Sequence, residues 1–150
     1  MMSATSLPDF IGARSVNRVE VSIPADAEML FLARMTAAAV ATRAELSFEQ
    51  VEDLRLAVDE LCIELLNSGA GAGQISLLFQ WDEVGTLDVV GNLVPEHDPS
   101  GREQDPKEPG HPSFELSQRI LDALVDEHGA DDVGGSPRAW LRVRRRELSA

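Results

Sequence analysis

Two carboxylates four residues apart, Glu60 and Glu64, are the groups in this sequence whose type and spacing most invite chemistry. On a helix they share one face. Paired carboxylates are the raw material of general acid and base catalysis. Like charges at this spacing also cost a helix stability. The pair is therefore either a solvated acidic face or is kept for a purpose. It sits in the most strongly patterned run of the chain, residues 47–67, SFEQVEDLRLAVDELCIELLN. Ser47 is a good N-cap and Gln50 completes a capping box. Val51, Leu54, Val58, Leu61 and Leu65 recur at helical spacing, and Ala57, Cys62 and Leu66 widen the stripe. Glu49, Asp53, Glu60 and Glu64 fall on the other side. Gly69, Gly71 and Gly73 break the helix near Ser68.

Other chemistries find little support. Cys62 lies on the apolar side of that helix and reads as a small core residue. His97, His111 and His128 are scattered, without metal-ligand spacing. No G-x-S-x-G or phosphate-binding loop pattern occurs. Arg142, Arg144, Arg145 and Arg146 make too small a basic group for a nucleic-acid surface in an acidic chain, and read as a solvated strand edge and tail.

The chain has 150 residues, a length that suits one domain. Aromatic residues make up 5% and Tyr is absent, so the core must be aliphatic. The formal charge is -13, which repels nucleic acid and anionic membranes and favours partners with basic surfaces. A single cysteine excludes an internal disulfide and suits a reducing compartment. No apolar run approaches membrane-spanning length, and the first twelve residues carry no signal-peptide pattern. The expectation is a cytoplasmic protein.

The elements that must position the carboxylates follow from periodicity. Residues 1–16 read as a flexible tail. Val19, Val21 and Ile23 alternate as a half-buried first strand that Pro24 ends. Asp26 caps a helix running to about Ala44, with Leu30, Ala33, Ala37, Val40 and Ala41 inward and Arg34 exposed. After the central helix, Ile75, Leu77, Phe79 and Trp81 predict a second strand, and Leu87 and Val89 a third, paired as an antiparallel hairpin. Residues 91–112, rich in Pro, Gly and acids, predict a disordered or lid-like segment. Ser113 caps a helix through about Glu127, with Leu116, Ile120, Leu121 and Leu124 on one side. Residues 129–137 turn the chain into a last strand, with Ala139, Leu141 and Val143 inward and Trp140 and the arginines outward, exposed or at an interface. The order is strand, helix, helix, strand, strand, helix, strand. It predicts a two-layer α/β sandwich, a mixed and mainly antiparallel sheet covered by helices on one face. The domain spans 17–146, with 147–150 as a C-terminal tail.

The run from Val51 to Leu66, VEDLRLAVDELCIELL, resembles the first ATP-site helix of the serine-kinase anti-sigma factors of the RsbW and SpoIIAB type, within the Bergerat-fold (GHKL) ATPases. Its DLRLAVDELC segment is particularly similar to the UsfX branch, and the likeness extends over roughly residues 19–145. The resemblance implies a glutamate acting as base toward the serine hydroxyl of an anti-anti-sigma partner. It also implies an asparagine four residues on that holds Mg²⁺ against the ATP phosphates. Glu60 stands at the glutamate position, and Glu64 replaces the asparagine. A carboxylate can ligate Mg²⁺, but it adds negative charge beside a triphosphate. The family's aspartate-x-glycine-x-glycine adenine loop falls on Gly91-Asn92-Leu93-Val94-Pro95, where neither the aspartate nor the later glycines are present. Its glycine-rich lid falls on Glu115-Leu116-Ser117, again without glycines. Arg34, in Phe31-Leu32-Ala33-Arg34, matches an arginine that contacts the sigma factor and the anti-anti-sigma protein in that family.

The resemblance thus implies an anti-sigma factor that sequesters an alternative sigma factor in a stress response. A STAS-type anti-anti-sigma protein would counter it, and the chain would work as a homodimer without binding nucleic acid or membrane. The alternative is a Mg-ATP-dependent protein serine kinase acting on the anti-anti-sigma factor, with Glu60 as base and Glu64 near the metal. A third reading is a degenerate ATPase-like scaffold. The changed nucleotide motifs favour binding over catalysis.

Overall fold

A computed structural model describes residues 17–68, 72–96 and 112–146. The chain forms β1 (Asn17–Pro24), a 3-10 turn (Ala27–Met29), α1 (Leu30–Arg43), α2 (Phe48–Leu66), β2 (Gly73–Trp81), β3 (Thr86–Pro95), α3 (Pro112–Leu124), β4 (Glu127–Val133) and β5 (Ser136–Arg144). The described strands make one sheet in the order β1-β2-β3-β5-β4. Every neighbouring pair is antiparallel, so the sheet is not mixed. The three helices pack on it, and α2 lies between α1 and α3. No described helix is long and apolar enough to cross a membrane.

The core is the aliphatic one that the composition requires. Leu54, Ala57, Val58, Leu61, Cys62 and Leu65 of α2 are buried against Ile75, Leu77 and Phe79 of β2 and Leu87, Val89 and Leu93 of β3. From α1 come Leu30, Ala33, Ala37, Val40 and Ala41, the expected inward set. The small side chains of α1 let it sit close beside α2. Asp26 accepts a hydrogen bond from the Glu28 amide, as a cap, but it opens the 3-10 turn rather than α1 itself.

Three expectations are corrected. The third strand does not stop near Val89. Gly91 to Pro95 continue it in register with Leu77 to Gly73, so the front of the expected disordered segment is sheet. Residues 97–111, with His97 and His111, lie outside the described residues. The third helix ends at Leu124, and Glu127–Val133 forms a strand that periodicity misses. β4 reads as polar because it is an edge strand held by main chain and by charges. Arg138 Nε bonds Asp131 at 2.7 Å, and Arg144 Nη2 bonds Glu127 at 2.7 Å. Gly134 and Gly135, at φ +62 and +86, make the tight turn into β5.

The third correction concerns the outer sheet face. Trp140 does point there, beside Val90 and Gly129, but it is only 8% exposed. A Cβ on Gly129 would come within 2.7 Å of its ring, so glycine is required there. Arg142 is not a solvated edge residue. Its guanidinium forks onto Asp88, Nε to Oδ1 at 2.6 Å and Nη2 to Oδ2 at 2.9 Å, and Asp88 is 2% exposed. Truncating one member of such a pair strands the other charge in a poorly solvated place. Asp88→Ala is expected to cost about 3 kcal/mol, read as a lower urea midpoint with an unchanged slope.

Candidate functional site

Helix α2 is fixed at its start before any chemistry is possible. Ser47 Oγ accepts from the Gln50 amide at 3.1 Å, and Gln50 Oε1 accepts from the Ser47 amide at 3.3 Å. Gln50 is buried and does more than cap. Its Nε2 donates to the Arg144 carbonyl at 2.8 Å, and the Arg146 amide donates to its Oε1 at 3.2 Å. One side chain thus ties the start of α2 to the end of β5. Further along, α2 lies directly on β3 at Gly91. A Cβ there would meet Leu61 Cδ2 at 2.7 Å and Leu65 Cδ1 at 2.9 Å.

With α2 held in this way, its consecutive residues Asp59 and Glu60 face opposite neighbours. Asp59 Oδ1 accepts from Arg34 Nη1 of α1 at 2.7 Å. Arg34 is therefore not simply exposed. It keeps 40% of its side-chain surface open while one nitrogen is committed to α2. Glu60 turns toward α3 and accepts a hydrogen bond from Ser117 Oγ. One turn on, Glu64 Oε1 accepts from Gln118 Nε2 at 2.9 Å. The pair is not a solvated acidic face. It is a polar seam between two helices.

The seam has a titration consequence. Burial pushes the Glu64 carboxyl above its ordinary value of 4.5. His128 opposes that rise, the Glu60 charge adds to it, and the Gln118 hydrogen bond opposes it. His128 reaches the seam from β4, and its Nε2 lies 2.6 Å from Asp122 Oδ1 of α3. Cys62 sits beneath the Arg34–Asp59 pair. Burial first, then the Asp59 charge, push its thiol up to about 12, with Arg34 opposing. It is an unreactive core residue.

The stretch Glu115-Leu116-Ser117, expected as a lid before the third helix, is part of α3. Ser117 is 5% exposed, and this buried hydroxyl is what meets Glu60. Asp59, Gln118, Asp122 and His128 complete the site, and sequence reading singled out none of them as functional. Their partners lie 25, 54 and 6 residues away, and only the last contact is local. A surplus of acidic residues on α2 was the one available signal.

The fit of Mg-ATP to these side chains is poor. An adenine-reading carboxylate has no room at position 91, because Leu61 and Leu65 fill the space above the glycine. Both seam carboxylates already accept hydrogen bonds from α3. Among the described residues no group of three His, Cys, Asp or Glu side chains converges as a metal site. Among the described residues, Glu60 and Glu64 are both turned toward α3.

A sheet of five antiparallel strands with three helices packed on it, and a carboxylate-bearing central helix, defines a GHKL-like α/β sandwich. Comparison with known proteins narrows that class. Over 153 residues the chain is 31% identical to the anti-sigma-F factor RsbW of Mycobacterium tuberculosis, covering 99% of this chain and 86% of that protein. It is 28% identical over 123 residues to the serine-protein kinase RsbW of Bacillus velezensis, covering 75% of this chain and 77% of that protein. A 64-residue stretch is 31% identical to the serine-protein kinase RsbW of Bacillus cereus. No protein-family model matches the chain. The chain belongs to the RsbW family of anti-sigma factors.

The Glu64 shift gives a signed prediction. A carboxyl whose folded-state pKa is raised destabilises the fold when ionised. That cost is full above the raised pKa and vanishes as pH falls through the ordinary carboxylate range. Glu64→Gln removes the charge and keeps an acceptor for Gln118. Since the group is partly solvated, the gain is modest. A melting temperature about 2 °C above wild type at pH 7, converging with wild type near pH 4, is expected from thermal scans across pH.

Proposed function

We propose that this chain is an anti-sigma factor that binds and sequesters an alternative sigma factor and is countered by an anti-anti-sigma protein. One observation carries the reading. The likeness to a protein named as an anti-sigma factor runs along 99% of the chain, rather than along one motif. The formal charge of -13 supports it, since an acidic surface attracts the basic surface with which a sigma factor holds promoter DNA. Arg34 is the contact residue in this reading. Its tether to Asp59 holds the guanidinium at the α1–α2 surface, close to the exposed side chain of Phe31, and lowers the entropy lost on binding. The acting unit is a homodimer. An apolar groove of about 510 Å³ between α1 and the edge strand β1, lined by Val19, Val21, Leu32, Met35 and Trp81, offers the surface for a second copy.

The second reading is a Mg-ATP-dependent serine kinase acting on the anti-anti-sigma factor. Several relatives are named as serine-protein kinases, and Glu60 already accepts a hydrogen bond from a serine hydroxyl. Glu60 would be the base and Glu64 would stand beside the metal. The poor fit of Mg-ATP ranks this reading second.

Co-purification from cells carrying both genes is expected to recover a sigma factor at low salt, with affinity falling as salt rises. Recovery of none under those conditions sinks the proposal. Arg34→Ala is expected to weaken the complex about thirty-fold, the scale of an interface hot spot near 2 kcal/mol, with the melting temperature lowered by only a few degrees, because the Asp59 carboxylate it leaves behind is partly solvated. Equal binding by the variant would remove Arg34 from the interface.

A further inference from the structure

The polar seam between α2 and α3 has a role that neither reading above assigns. Glu60 and Glu64 are acceptor-only groups when ionised, and each is met by a donor from the same turn of α3. Ser117 is buried and hydrogen-bonded, so its hydroxyl takes one oxygen, Oε1, of the Glu60 carboxylate that an incoming hydroxyl would have to meet. Gln118 does the same for Glu64. The third tie is also polar, from Asp122 of α3 to His128 of β4, and it is an ion pair only when the imidazole is protonated. Apolar anchoring of α3 lies toward its C-terminal end: Leu121 is 2% exposed and Leu124 packs against the core, whereas Leu116, beside Ser117, is 59% exposed. The turn of α3 that faces Glu60 and Glu64 is seated by side-chain hydrogen bonds, each worth roughly 1 kcal/mol net, so it can leave its seat at a lower cost than unfolding the sheet.

We propose that α3 is a built-in plug: Ser117 and Gln118 each take the Oε1 oxygen of a seam carboxylate, Glu60 and Glu64 respectively, and the helix that carries them closes the α2–α3 cleft in the resting chain, which opens when α3 moves away. The charges facing the seam are Glu60 and Glu64 from α2, Asp122 from α3 and His128 from β4. Glu60 and Glu64 lie on the same helix face, so removing the two α3 donors leaves two adjacent carboxylates without partners. Their repulsion then favours the open state. The plug rests on the kinase reading only for what would enter the cleft. The closure itself rests on the contacts.

The test is chemical access to the two carboxylates. Wild type and the Ser117→Ala/Gln118→Ala variant are treated with a water-soluble carbodiimide and glycine ethyl ester, and each site is quantified by mass spectrometry. Labelling of Glu60 and Glu64 is expected to rise about ten-fold in the variant, while the exposed Glu28 and Glu49 label equally in both. Unchanged labelling at Glu60 and Glu64 overturns the plug. Ser117→Ala alone, a small change at a buried site, should raise Glu60 labelling more than Glu64 labelling; equal rises would overturn the assignment of one donor to each carboxylate. Hydrogen exchange gives an independent readout. Amides of residues 117–124 should exchange at least ten-fold faster in the double variant, with those of β2 and β3 unchanged, and faster exchange throughout the sheet would mean general unfolding and overturn the proposal. Adding Mg-ATP to the opened variant separates the two claims. Protection of both carboxylates supports plug and kinase together, and raised labelling without protection supports the plug and removes the kinase.

Discussion

The close approach of α2 to β3 at Gly91 is the constraint on which the rest of the molecule depends. With no side chain at that position, Leu61 and Leu65 rest directly on the strand. Each fully buried leucine contributes about 2 kcal/mol of transfer free energy, and together they set the height and rotation of the helix. Everything polar on α2 then follows. With Leu61 and Leu65 pointing down, Glu60 and Glu64 can only point sideways, toward α3. The same contact leaves little room for any side chain at position 91.

Gln50 and the Arg142–Asp88 pair finish what Gly91 begins. Gln50 links the first turn of α2 to β5, and Arg142 links β5 to β3 from the other side of the sheet. Strand β5 is therefore gripped on both faces. This is why a polar edge strand such as β4 can be added outside it, with Asp131 and Glu127 paired to β5 arginines. Within the basic run near the C-terminus, Arg142 and Arg144 link strands of the sheet, and Arg142 does so where the Asp88 carboxylate would otherwise be buried alone.

The central helix separates two tasks. Asp59 and Glu60 are neighbours in sequence but lie about 100° apart around the helix, so one serves α1 and the other α3. On the α1 side the result is a surface, with Arg34 held but still open to a partner. On the α3 side the result is a seam, with both carboxylates engaged. A binding protein and a catalyst could be built on the same helix by changing only the second of these sides. Membership of a family that includes proteins named as anti-sigma factors and as kinases is consistent with that division.

Much of the fold was legible from the residues. The capping box at Ser47, the aliphatic stripe of α2, the alanine stripe of α1 and the alternation of β2 and β5 all appear where periodicity places them, because burial of one face imposes a period that local sequence must carry. β4 was not legible, because an edge strand held by charge pairs has no such period. The site was half legible. Sequence alone determined that Glu60 and Glu64 share a helix face. Only the tertiary structure decided that the carboxylates meet Ser117 and Gln118 rather than water, that Arg34 is tied to Asp59, and that Leu61 and Leu65 close the space above Gly91. The reason is physical. A helix face is written in spacings of three and four, whereas the group that covers it comes from a segment more than fifty residues away, and nothing local records that meeting.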